Sequence, residues 1–256
     1  CGGRTVVIQT DEDTGFKITP RMLSEAITKR TKLLVLTTPS NPTGATYTKA
    51  ELEGLAEVLK GSDIRVVSDE IYEKLVYDGE FCSSAAINED MLQRTITING
   101  LSKSVSMTGW RFGYIASKDK KLIELIDALQ SQSTSNICSI TQKAAIVALE
   151  GAADSDIEMM RVEFKKRRDF AADAFNQIPK LSVLKPSGAF YLFVNIKETG
   201  MGSMEFCKEL LEQKGVAVVP GVGFGVEGYF RFSFATSLTQ IEEGIRRIAE
   251  FVASKA

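Results

Sequence analysis

Apolar positions fall in two rhythms along this chain. Short aliphatic or β-branched runs read as strands, and longer stretches with apolar residues every three or four positions read as helices. The first rhythm predicts strands at 1–8, 32–36, 64–68, 94–98 and 112–116. The run Leu33-Leu34-Val35-Leu36 is continuous, as in a parallel strand buried on both faces. The second rhythm predicts a helix over 20–30, with Pro20 near its start. A further helix follows Thr48-Lys49-Ala50-Glu51, a capping-box pattern, with Leu52, Leu55, Ala56 and Leu59 on one face. Two more are predicted at 120–131, striped by Leu122, Ile123, Leu125, Ile126 and Leu129, and at 139–149.

A long amphipathic stretch at about 156–178 sets Ile157, Met160, Phe164 and Phe170 against Lys165, Lys166, Arg167 and Arg168. It reads as a linking helix whose basic side is solvated. Beyond Pro179 the elements shorten. Strands are predicted at 181–184, 189–194, 216–220 and 229–235, alternating with helices at 203–214 and 239–254. This predicts an α/β protein of two domains, residues 1–165 and a small C-terminal domain at 166–256.

Composition narrows the function. Of 256 residues, 44% are apolar and 25% charged, as in an ordinary globular chain. The net charge of −2 and the lack of a basic run argue against a nucleic-acid partner. No apolar stretch approaches twenty residues, so neither a membrane span nor a membrane partner is expected. Four cysteines at 1, 82, 138 and 207 match no metal or redox spacing, which fits a reducing, cytoplasmic setting. Histidine is absent, which removes histidine metal ligands and every histidine-based triad, and no metal site is expected. Proton transfer falls to lysine, tyrosine, carboxylates, water or a cofactor.

The stretch richest in chemistry is Asn99-Gly100-Leu101-Ser102-Lys103 through Thr108-Gly109-Trp110-Arg111. It lies between two predicted strands and is built of small and hydroxyl residues. An isolated lysine is ordinarily a solvated surface group. A lysine held among small neighbours at a strand end is different, because desolvating an ammonium favours the neutral, nucleophilic amine. Upstream, Ser40-Asn41-Pro42-Thr43-Gly44 forms a stiff turn after one strand, and Asp69-Glu70-Ile71-Tyr72 follows the next. Asn41 and Asp69 are 28 positions apart (69 − 41), one helix-plus-strand unit, so both reach the same edge of a parallel sheet. Glu70 and Glu73 read as solvated or structural. Near the C-terminus, Arg231 interrupts the apolar strand Tyr229-Phe230-Arg231-Phe232. A buried arginine needs a partner, either an internal carboxylate or that of a ligand.

Gly-Leu-Ser-Lys followed by Ser-Met-Thr-Gly-Trp-Arg resembles the lysine signature of class I and II aminotransferases, the aspartate aminotransferase superfamily. Ser-Asn-Pro-Thr-Gly and Arg-Phe-Ser-Phe-Ala resemble two further hallmarks, in the same order. Phe112 stands where smaller aliphatic residues are commoner in that family. The resemblance implies the type I pyridoxal-phosphate transferase fold, a mainly parallel seven-stranded sheet flanked by helices plus a smaller C-terminal α/β domain, with residues 1–165 as the C-terminal part of the large domain. It implies transfer of an amino group from an amino acid, of the aspartate or aromatic kind, to a 2-oxo acid. The cofactor would be pyridoxal 5′-phosphate and the assembly a homodimer.

Residue by residue, the resemblance makes Lys103 the lysine that bonds the cofactor aldehyde and shuttles the proton. Asp69 pairs with the pyridine nitrogen, Asn41 and Tyr72 bond the ring hydroxyl, Arg111 holds the phosphate, and Ser102 also contacts the cofactor. Arg231, with Asn41, binds the substrate carboxylate, while Gly188 and Phe190 shape the pocket mouth. A carbon–sulfur lyase of the same fold would share these residues. An aminotransferase-like effector domain of a transcription regulator is a third reading, over which the intact Ser-Asn-Pro-Thr-Gly loop favours an enzyme. The family's preceding segment, with a phosphate-binding helix and a ring-stacking aromatic residue, has no counterpart here, and the chain reads as part of a longer protein.

Overall fold

The computed structural model describes residues 2–255. They fall into two compact units, Cys1–Pro39 with Thr46–Glu158, and Ser40–Ala45 with Met159–Ala256.

In the first unit, Thr19 caps α1 (Pro20–Ala26) by accepting from the Met22 amide at 3.2 Å, and proline sits where no amide hydrogen is needed. Strand β1 (Leu33–Thr37) leads to α2 (Lys49–Leu59), which opens on the predicted capping box. Thr48 Oγ1 accepts from the Glu51 amide at 3.3 Å, and the Glu51 carboxylate accepts from the Thr48 amide at 2.8 Å. Strands β2 (Arg65–Asp69) and β3 (Thr95–Gly100) follow, with α3 (Glu89–Arg94) between them. A single turn, α4 (Leu101–Ser104), precedes β4 (Gly113–Ala116). The unit continues through α5 (Lys120–Ser133) and α6 (Ser139–Leu149).

The sheet order is β1-β2-β3-β4, with the first three strands parallel and β4 antiparallel to β3. Among the described residues this sheet has four strands, where the resemblance implies seven. Leu34, Leu36 and Val66 pack with Leu23, Leu52, Leu55 and Leu59 in one core. Each such side chain contributes about 1.5–3 kcal/mol on burial.

Four expectations change. Leu33 and Val35 remain 50% and 62% exposed, so β1 is covered on one face only; a continuous apolar run does not reveal which faces are packed. Residues 2–10 form no strand, because a β-branched run becomes one only where a neighbour completes the ladder. The apolar stripe of α5 is not covered either, and no residue of that helix is buried among the described residues. Finally, 181–184 yields one isolated bridge, Ser182 to Asn195, in place of a strand.

The second unit takes most of α7 (Asp154–Phe175), then β5 (Tyr191–Asn195), α8 (Ser203–Lys214), β6 (Val219–Pro220), β7 (Tyr229–Ser233) and α9 (Leu238–Ala253). Its sheet is antiparallel, in the order β5-β7-β6. Aromatic rings form the core. Phe175 meets Phe230 and Phe232 edge-on at 5.9 and 5.1 Å, and Phe206 stacks on Phe230 at 5.4 Å. Helix α9 closes it with Ile241, Ile245, Ile248 and Phe251. Among the described residues, no helix is long and apolar enough to cross a membrane.

Candidate active site

The parallel ladder of the first unit fixes where its strands end. Thr37 lies opposite Asp69, and Asp69 opposite Ile98, so β1, β2 and β3 deliver their carboxyl ends to one edge. The ladder runs on past the strands: the Thr38 amide donates to Asp69 O and the Glu70 amide to Ile98 O, both at 2.9 Å. Asp69 therefore sits at the rim with its neighbours fixed on both sides. Its Oδ1 accepts from the Ile71 amide at 3.1 Å, while its other oxygen accepts no hydrogen bond among the described residues. Tyr72 follows in the next turn and is 4% exposed.

Glu70 points the other way and is 2% exposed. One oxygen, Oε1, accepts from Ser68 Oγ at 2.8 Å, Ser83 Oγ at 2.9 Å and the Ser84 amide at 3.1 Å. Burial pushes this carboxyl up, against the pull of those hydrogen bonds, and the Glu73 charge adds to the rise. The structural reading of Glu70 holds in this form: it ties the loop at Ser83 and Ser84 to the residue beside Asp69.

Lys103, Ser102 and Arg111 share the connection between β3 and β4. Gly113 pairs with Gly100 across the antiparallel ladder, so this connection leaves and returns at the same rim. Gly100 permits that closure. A Cβ there would stand 2.8 Å from Phe112 O and 3.1 Å from Gly113 Cα, both backbone atoms. Lys103 lies in α4 and is half-buried, as is Ser102, so the lysine is less enclosed than the sequence suggests. Arg111 is exposed with a left-handed backbone (φ 53°), and its Nη1 donates to Thr108 O at 2.7 Å. Its guanidinium carries no carboxylate partner among the described residues.

The second unit holds Asn41 and Arg231. The Asn41 turn is closed by Gly44 N donating to Ser40 O and Ser40 N donating to Ala45 O, each at 2.9 Å. Arg231 lies on β7, the central strand, opposite Phe193 on one side and Val219 on the other. It is half-buried, less enclosed than its apolar strand suggests. Its guanidinium carbon is 4.4 Å from the Tyr191 ring centre and 5.1 Å from that of Phe224, so the group is held between two aromatic faces. Nη1 donates to Asn41 Oδ1 at 2.8 Å, and Nε is buried with no hydrogen-bond partner. Among the described residues no carboxylate forms an ion pair with Arg231. The alternative of an internal ion pair at this position is therefore removed.

A model of the family "Aminotransferase class I and II" matches residues 1–248. The chain belongs to this family. It is 46% identical to the aspartate aminotransferase of Bacillus subtilis (strain 168), the alignment covering 98% of this chain and 65% of that protein. It is 45% identical to the aspartate aminotransferase of Geobacillus stearothermophilus, covering 100% and 66%. The aromatic aminotransferase from Pyrococcus horikoshii OT3 superimposes with a TM-score of 0.95 at 37% identity, over 99% of this chain and 68% of that one. The aspartate aminotransferase from Rhizobium meliloti gives 0.92 at 38% identity, over 97% and 64%. The fold is that of the class I and II aminotransferases. The chain spans about 65% of the length of the first of these relatives.

Two side chains of this family member escape a reading from sequence. Tyr191 falls inside a predicted strand and Phe224 outside every predicted element, and only the fold shows them flanking Arg231. An arginine in an apolar strand signals that something must face its cation, but not which residues do so.

Proposed function

We propose that this chain works within a pyridoxal-phosphate-dependent aminotransferase that moves an amino group from an amino acid to a 2-oxo acid. The reading carries most weight at the first unit's rim. There a lysine amine and a carboxylate with a free oxygen follow neighbouring parallel strands, Lys103 after β3 and Asp69 at the end of β2. The donor set suits pyridoxal phosphate. Lys103 offers an amine to its aldehyde, Asp69 a carboxylate to its ring nitrogen, Arg111 a guanidinium to its phosphate with Ser102 beside it, and Tyr72 and Asn41 hydrogen bonds to its ring hydroxyl. When bound, this cofactor supplies an electron sink for the pair released at the substrate Cα.

The chain's own residues then have distinct tasks. Asp69 keeps the ring nitrogen protonated through its opposite charge. With that cofactor bound, Lys103 Nζ would serve as general base toward the substrate Cα proton and then as the acid that gives the proton back. Arg231 receives the substrate α-carboxylate on its forked N–H groups, and no counter-charge has to be displaced first. Asn41 steadies that fork as a neutral acceptor.

Relatives named for aspartate support aspartate as amino donor, with aromatic amino acids next. A homodimer belongs to the same reading. It is supported by exposed apolar side chains on α6, where Ile140 is 70% and Val147 55% exposed. Product analysis of the full-length protein with aspartate and 2-oxoglutarate tests the reaction. Stoichiometric glutamate and oxaloacetate are expected, and pyruvate with ammonia from a thiol amino acid would instead mark a carbon–sulfur lyase.

A further inference from the structure

Arg168 is the bulkiest of the fully buried side chains, 2% exposed, and the roles proposed above leave it without a task. Burying a guanidinium is costly unless its donors are matched, so its partners indicate what it does. Nε and Nη2 both donate to Asp169 Oδ1, at 3.0 and 2.7 Å, while Nη1 donates to Pro186 O at 2.9 Å. Asp169 is half-exposed and also meets Lys185 at 3.5 Å. One edge of the fork is thus anchored on α7, and the other grips the main chain of the segment ahead of β5.

That segment is where the Asn41 turn is held. The Gly188 amide donates to Gly44 O at 2.9 Å. Gly44 packs so closely that a Cβ on it would lie 2.4 Å from Pro186 Cβ and 2.7 Å from Gly188 O, and its φ of +67° favours glycine as well. Gly44 closes the turn carrying Asn41, and Asn41 Oδ1 accepts from Arg231 Nη1 at 2.8 Å. Every link from Asp169 to Arg231 is a hydrogen bond or a backbone contact, and all lie within the second unit. The final link, Asn41 to Arg231, joins an exposed side chain to a fork held between aromatic rings.

We propose that Arg168 is a positioning residue for the substrate-carboxylate site: by gripping Pro186 it fixes Gly44, and through it the Asn41 acceptor that orients Arg231. This rests on the aminotransferase reading above, since it assigns Arg231 to a substrate carboxylate. A lysine at position 168 keeps the charge but cannot bridge two acceptors as a planar fork does. Its effect should therefore fall on carboxylate affinity rather than on turnover.

Calorimetric titration of the full-length protein with succinate, alongside steady-state kinetics, provides the test. Arg168→Lys should weaken succinate at least tenfold and raise KM for both substrates in step, with kcat within about threefold of the unmodified protein. Gly44→Ala disturbs the same contact from the other side, so the double variant should be no weaker than the worse single variant. Should Arg168→Lys fail to fold, Asp169→Ala releases the same fork from its half-exposed end and should give the same KM-led loss. Full multiplicativity of the two losses, or unchanged succinate affinity in Arg168→Lys and Asp169→Ala, overturns the assignment. If the unmodified protein itself takes up no succinate, the aminotransferase reading fails, and this inference with it.

Discussion

Arg231 and Asn41, 190 positions apart in sequence, are joined by a 2.8 Å hydrogen bond from Nη1 to Oδ1. The acceptor is an amide rather than a carboxylate, and that difference matters. An amide orients the guanidinium without neutralising it, which leaves the positive charge uncompensated by this partner.

Asn41→Asp is therefore expected to harm the site despite its small change in shape. The new carboxylate would pair with Arg231 and compete with the substrate. KM for the amino acid should rise at least tenfold while thermal stability holds or improves; an unchanged KM would mean that Arg231 does not meet substrate.

Removing the cation acts on the other half of the same bond. Arg231→Leu should weaken amino-acid and oxo-acid binding by about 2–5 kcal/mol, the cost of deleting one partner of a desolvated charged pair. Cofactor absorbance should barely move. Loss of cofactor in this variant would show that Arg231 had been assigned to the wrong ligand.

Glu70 makes a pH-dependent prediction. Burial raises its carboxyl in the folded protein, so the folded state keeps this proton at a pH where the unfolded chain has lost it. Its contribution is then most favourable below the unfolded value and declines as pH rises through the folded one. Glu70→Gln retains an Oε1 for all three donors and should flatten that decline, measured by urea unfolding across the acid range. Glu70→Ala strands the buried Ser84 amide and should cost about 1–3 kcal/mol at every pH. A steeper acid-range slope in Glu70→Gln would reverse the sign argued here.

Gly100→Ala tests how tightly the lysine-bearing connection is closed. The added methyl meets backbone at 2.8 Å, which cannot rotate away. The expected loss is about 1–3 kcal/mol of stability, read by chemical denaturation, together with reduced turnover as β3 and β4 part. Full stability would show that the rim relaxes more readily than its geometry implies.

What sequence revealed and what it concealed divide along physical lines. Capping and periodicity are local, so the Thr48–Glu51 box and the helix 139–149 emerge as predicted. The ordered motifs around Asn41, Asp69, Lys103 and Arg231 identify the family, because their order survives along the chain. Coverage is not local. Leu33 and Val35 read as doubly buried, and 1–8 read as a strand, because apolar content does not say which neighbours are present. The clamp on Arg231 was equally hidden, since Tyr191 and Phe224 meet it only through the β5-β7-β6 order and the turn before β7.

In the proposed reaction Lys103 carries the chemistry. Borohydride reduction of the full-length protein incubated with pyridoxal phosphate, followed by peptide mapping, tests it most directly. A pyridoxyl group is expected on Lys103 alone, lost in Lys103→Ala. Stable labelling at a different lysine, or a Lys103→Ala variant that still labels and transaminates, would contradict it.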